Sequence, residues 1–140
     1  MATYQSVTDA DVIVVAPHVQ RARDSLRAAE LLRDAGLAAD SVTRAQQACV
    51  HAERALLATE KRSPQDPRSV HRLAAQHFVG NDQLDRGHLT RLERLLALRE
   101  RADAQPLREI TADECAEAID DARAFVDEAV RFLTAAGHRA

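Results

Sequence analysis

Arg44, Gln47, His51 and Arg54 follow one another at intervals of three, four and three residues, the spacing that stacks side chains along one side of an α-helix. Seven residues advance a helix by about 700° and about 10 Å, so Arg44 and His51 lie within about 20° of each other, two turns apart. Arg44 also sits about 100° around from Ala45, which puts the stripe at the border of the apolar face. A permanent cation beside a titratable imidazole suits metal-independent cleavage of RNA, in which the ribose 2′-OH attacks the adjacent phosphate. His51 exchanges protons near neutral pH, while the planar donor fork of Arg44 holds the charge that grows on the phosphoryl oxygens. Gln47 and Arg54, on the same stripe, are the candidate substrate-binding residues. One imidazole cannot act as base and acid in one turnover without being recycled. A twofold dimer that joins two such helices, each with its Arg44 and His51, supplies both. Taken alone, the pair also fits a structural hydrogen-bonded contact at a bundle edge.

Other residues capable of chemistry give simpler readings. Glu53 is two positions from His51 and does not face it, so it is expected on the surface. Arg91, Arg94 and Arg101, with Arg68 and Arg72 before them, offer a phosphate-tracking surface. A solvated face interleaved with Glu93 and Glu100 explains them more cheaply. His71 and His77 are six apart and diverge on a helix, as do Cys49 and His51, so no metal site is expected. There is no Gly-rich phosphate loop and no Gly-x-Ser-x-Gly elbow, and no cofactor is expected.

The elements that must position these residues are all helical. Ala and Leu dominate a chain whose aromatic content is 3%, which favours closely packed helices. Residues 1–16 read as a lead-in, with Thr8 and Asp11 as its candidate capping box and a β-branched run from Val12 to Val15 that weakens a helix. From Pro17 a helix runs to about Ala35 and stops at Gly36, with Val19, Ala22, Leu26, Ala29 and Leu32 or Arg33 inward. Asp40 caps a second helix to about Glu60, with Val42, Ala45, Cys49, Ala52 and Leu56 inward. The Ser63-Pro64-Gln65-Asp66-Pro67 breaker follows, and Ser69 caps a short helix to about Val79. A fourth helix spans about Leu84 to Ala102. Thr111 and Glu114 form a capping box for a fifth, which lasts until Gly137 with Cys115, Ala118, Ile119, Ala122, Val126 and Val130 inward. The expected fold is all-α, a four-helix up-and-down bundle with an additional short helix, occupying residues 17–140 as one domain.

Composition bounds the setting. A chain of 140 residues is long enough to bury a core as a single domain. Cys49 and Cys115 lack the spacing of a disulfide framework or a zinc ribbon. The longest strongly apolar run, Val12 to Ala16, is far short of the ~18 residues of a membrane span, and no secretory signal opens the chain. A cytoplasmic protein without membrane association is expected. Net charge is −3 in all, yet residues 61–101 carry 9 positive and 5 negative side chains, which keeps an RNA partner in view. Base-stacking aromatics are nearly absent, which argues against sequence-specific single-strand readout.

Several blocks in order resemble prokaryotic HEPN proteins. They are Ala28 to Leu37 (AAELLRDAGL), Ser41 to Ala45 (SVTRA), His51 to Leu57 (HAERALL), Gln76 to Val79 (QHFV) and Leu92 to Asp103, which ends LRERAD. The resemblance spans roughly residues 20 to 133. It implies a helical bundle that dimerises through the motif helices and, in many members, an Arg-x4-6-His ribonuclease site, which here falls on Arg44 and His51. Many such proteins are toxins paired with a nucleotidyltransferase antitoxin. This chain departs from the pattern at Gln46 and Gln47, where relatives often carry tyrosines, at Ala45, where active ribonucleases often carry a polar residue, and at Ala104, where relatives often read tyrosine. Tyr4 is the only tyrosine, so control by adenylylation of a tyrosine just beyond the motif is not expected. The function expected is a toxin-type, metal-independent endoribonuclease with its site shared across a homodimer. The alternative is a catalytically silent module that binds RNA, a nucleotide or a partner protein through the same groove.

Overall fold

The computed structural model describes residues 2–107 and 109–138, with side chains from Val15 onward. Five helices occur in the order α1 (Ala2–Asp34), α2 (Ala38–Ala58), α3 (Pro67–Ala74), α4 (Gly87–Ala104) and α5 (Ala112–Ala135), and a π-helical turn, Ala75–Val79, prolongs α3. No strand occurs among the described residues. The expected bundle of four long helices and one short one is therefore the fold, with α2 in contact with all four others.

The central place of α2 follows from its composition. It buries 13 of its 21 residues, and Ala45, Ala48, Ala52 and Ala55 among them are almost fully enclosed. Short side chains let α1 and α5 approach its backbone closely, while Val42, Leu56 and Leu57 fill the remaining space. The expected inward positions Val19, Ala22, Leu26 and Ala29 of α1, and Cys115 to Val126 of α5, are buried, and Val130 packs on the core from its edge. At the end of the α1 stripe Leu32 is half-buried and Arg33 exposed.

The ends of the helices show where local chemistry decides. Gly36 has φ +80°; its N–H donates to the Arg33 carbonyl and that of Leu37 to the Leu32 carbonyl, a Schellman motif that stops α1 and turns the chain back along it. Gly137, with φ +91°, closes α5 in the same way. The capping box at Thr111 and Glu114 is present with both its bonds.

Four boundaries differ from the sequence reading. The helix expected to begin at Pro17 instead starts at Ala2, so Pro17 lies inside α1; a proline removes one backbone bond, and Val15 and Val19, both buried, hold the chain helical on either side of it. Whether Thr8 and Asp11 cap anything lies outside the described side chains. Asp40 sits in the first turn of α2 rather than at its cap, which is Leu37, because the Schellman turn leads straight into the next helix. In α3 the cap is Asp66, whose carboxylate accepts from the Ser69 N–H and hydroxyl; Pro67 takes the first helical position, where a missing N–H costs nothing. Finally α4 begins at Gly87 and not at Leu84, which is buried in the turn before it.

Candidate functional site

The outer seam between α1 and α2 carries the candidate site. His51, half-buried on α2, meets His18 of α1, with Nδ1 to Nδ1 at 3.0 Å and ring centroids 5.2 Å apart at an interplanar angle of 32°. Burial, above all, pushes the His51 imidazole down to about 4, and His18, Arg21 and Arg54 push in the same direction. His18 is also lowered, first by burial and then by Arg54 and Arg21. Both rings are therefore neutral at physiological pH, in surroundings that resist a net positive charge on them.

Each member of the expected stripe has a definite place. Arg54 donates from Nη1 to the Pro64 carbonyl at 2.8 Å and from Nη2 to the Gln65 carbonyl at 3.0 Å, so its guanidinium fastens the loop before α3 while its charge acts on the imidazoles. Two turns before His51, Arg44 is exposed and meets Gln47 Oε1 through Nη1 at 3.4 Å. Among the described hydrogen bonds none joins Arg44 to His51. They share a side of α2 but belong to separate ends of the seam.

His18 and Arg21 were not singled out from the sequence. A helical wheel of α2 shows that His51 borders the apolar face, but only the pairing of α2 with α1 brings His18 opposite it, 33 residues away. The usable signal is weak: His18 is one position before Val19 on the inward stripe of α1, much as His51 is one before Ala52.

A second polar seam lies on the side of α2 that faces α3 and α4. Glu53, expected at the surface, is 1% exposed and pairs with His71 Nδ1 at 3.0 Å. The reason is that α2 is surrounded, so the side of it away from His51 faces protein rather than water. The hydrogen bond that His71 Nδ1 donates to the Glu53 carboxylate raises the His71 imidazole, and burial raises the Glu53 carboxyl. Gln46, seven residues earlier and also buried, accepts from Arg99 Nη1. A cavity of about 30 Å³ lies between Gln46, Cys49, Glu53, His71 and Leu95, room for about one water. Burial pushes the Cys49 thiol well up, with Glu53 and Asp121 adding to it, which leaves it a poor nucleophile.

The arginines of residues 61–101 are largely engaged within the fold. Arg94 binds Asp121 through Nε and Nη2 at 2.9 and 2.7 Å and reaches Glu117 at 2.7 Å. Arg101 binds Glu114 at 2.7 Å, and Arg68 binds Glu100 at 3.1 Å. Of the expected interleaving, Glu100 alone serves as a partner among the described ion pairs, to Arg68, while Arg94 and Arg101 find their carboxylates on α5 instead. His77 and His88 likewise face carboxylates, Glu60 at 3.3 Å and Glu128 at 2.6 Å. Among the described residues no three His, Cys, Asp or Glu side chains converge as a ligand set, and no helix is long and apolar enough to cross a membrane.

The family model described as HEPN domain matches residues 15–133. No curated protein matches the chain.

Proposed function

The chain belongs to the HEPN family, and from that membership and the α1–α2 seam we propose that it is a metal-independent endoribonuclease of toxin type. His51 exchanges protons with the 2′-OH that attacks the adjacent phosphate, and Arg44 stabilises the phosphoryl charge. Gln47 orients Arg44, and the charge of Arg54 draws the RNA backbone toward the seam. The observation that supports this reading best is the pair of neutral, half-buried imidazoles flanked by Arg21 and Arg54. Neutral imidazoles supply proton acceptors, and flanking guanidiniums favour an anionic substrate. A homodimer placing two α2 helices together would bring the Arg44 of one subunit toward the His51 of its partner, which answers their separation along a single α2. A nucleotidyltransferase-type protein is the proposed antitoxin, and the cytoplasm the proposed compartment.

The second reading is a silent module that binds RNA, a nucleotide or a protein. It is favoured by Ala45, which is fully buried and offers the seam no polar group, and by Gln46, which is turned inward to Arg99. One comparison decides. Purified protein is incubated with RNA in excess chelator beside Arg44→Ala and His51→Ala variants matched for helicity and oligomeric state. Cleavage by the parent alone supports the enzyme, cleavage that persists in both variants removes the assignment, and a parent that binds without cleaving selects the module.

A further inference from the structure

Two contacts set the register of α1 against α2. His18 meets His51, and Ser41 Oγ donates to the Ala29 carbonyl at 2.6 Å. Between these contacts α1 advances 11 residues while α2 runs back 10, so the helices are antiparallel. Arg21, three residues past His18, stands level with Ala48, three residues before His51. That level is about 4.5 Å along the seam from the imidazoles and about 6 Å from Arg44. The i, i+3 spacing also sets Arg21 on the same side of α1 as His18. Between Arg44 and His51 the α2 sequence has no charged side chain, and Arg21 of α1 fills that interval.

We propose that Arg21 is a further substrate-contacting residue, whose guanidinium holds the phosphate attacked beside His51 in the same subunit. The proposal rests on the ribonuclease reading. It supplies a phosphate donor where a single subunit leaves Arg44 two turns away, and the Arg44 of a second subunit adds its fork to the same phosphate.

Three observations favour Arg21 for this task. It is exposed and enters none of the described ion pairs or side-chain hydrogen bonds, so its planar donor fork is open to a phosphate. The carboxylate one turn on, Asp24, accepts instead from Gln20 Nε2 at 3.0 Å. Arg54, which follows His51 at the spacing with which Arg21 follows His18, has Nη1 and Nη2 committed to the Pro64 and Gln65 carbonyls. The charge of Arg21 also lowers both imidazoles, as a guanidinium close to the two rings must.

The test has a binding arm and a kinetic arm. For binding, a single-stranded 2′-O-methyl RNA, which lacks the attacking hydroxyl, is titrated at several salt concentrations with the parent, Arg21→Ala and Arg23→Ala. Arg23 is exposed and about 200° around α1 from Arg21, so its loss changes the net charge equally and leaves the seam intact. Arg21→Ala should weaken binding and reduce the slope of log K against log salt by about 0.7, the share of one phosphate contact on a single strand, while Arg23→Ala should keep the parent slope. A parent slope in Arg21→Ala, or equal changes in the two variants, overturns the contact. In the kinetic arm, cleavage of RNA is followed as a function of pH. Arg21→Ala should lower the plateau rate by about 100-fold, and Arg21→Lys, which keeps the charge and loses the fork, should recover part of it. A loss that consists only of a displaced pH profile, with the plateau rate unchanged, means that Arg21 acts through the imidazoles and overturns the contact. A parent that binds the oligonucleotide without cleaving RNA removes the ribonuclease reading, while the salt slopes still decide the phosphate contact. A parent that neither binds nor cleaves removes both.

Discussion

Acid should unfold this protein in a way that depends specifically on His51. Its imidazole stands at about 4 in the fold against an ordinary 6.5, so the folded chain binds fewer protons than the unfolded chain between those values. Stability from this group is complete above pH 6.5 and is lost as pH falls toward 4. At 1.36 kcal/mol per decade the full displacement corresponds to about 3.4 kcal/mol. The ring is partly open to solvent, and screening reduces the expected loss to about 1 to 2 kcal/mol. The assay is urea unfolding of the parent and of His51→Asn at pH 7 and pH 4.5. Asn keeps a polar atom where Nδ1 faces His18 but does not titrate, so carboxylates elsewhere in the fold cancel in the comparison. The parent should lose about 1 to 2 kcal/mol more than the variant on acidification. Parallel losses would refute the argument that burial and the His18, Arg21 and Arg54 neighbourhood hold His51 neutral.

Glu53→Ala should destabilise the fold by about 3 kcal/mol or more in chemical unfolding, because it strands His71 in a buried seam; Glu53→Gln, which retains a hydrogen-bonding partner, should cost clearly less. Lys61, three residues past the end of α2, has φ 59°, and its N–H and that of Arg62 bond the carbonyls of Ala58 and Leu57. Lys61→Gly relieves that left-handed backbone and should raise stability by about 1 kcal/mol in the same assay. Thr111→Ala removes one side of the capping box and should cost about 1 kcal/mol, seen as a lower denaturant midpoint with unchanged slope. Arg44 is exposed, with a single 3.4 Å contact, so Arg44→Ala should change stability by less than about 0.5 kcal/mol while abolishing RNA cleavage in the comparison proposed above.

What the sequence by itself determined about this protein is short-range. Helical period, the Gly36 and Gly137 stops and the Thr111–Glu114 box each depend on residues a few positions apart. Their reach in the chain matches the reach of the forces involved, so all of them reappear in the fold. The side of α2 shared by Arg44, Gln47, His51 and Arg54 was legible for the same reason. A helical wheel, however, gives the direction of a side chain without saying what stands opposite. Only the packing of α1 on α2 brought His18 against His51, and only the enclosure of α2 by α3 and α4 turned Glu53 from an expected surface carboxylate into a buried partner of His71. Pro17 belongs to the same class: local rules place a helix start there, and anchoring of Val15 and Val19 in the core carries the helix through it. Burial then set the protonation of the imidazoles. Desolvation depends on how much protein surrounds a group in three dimensions, and no spacing along the chain encodes it.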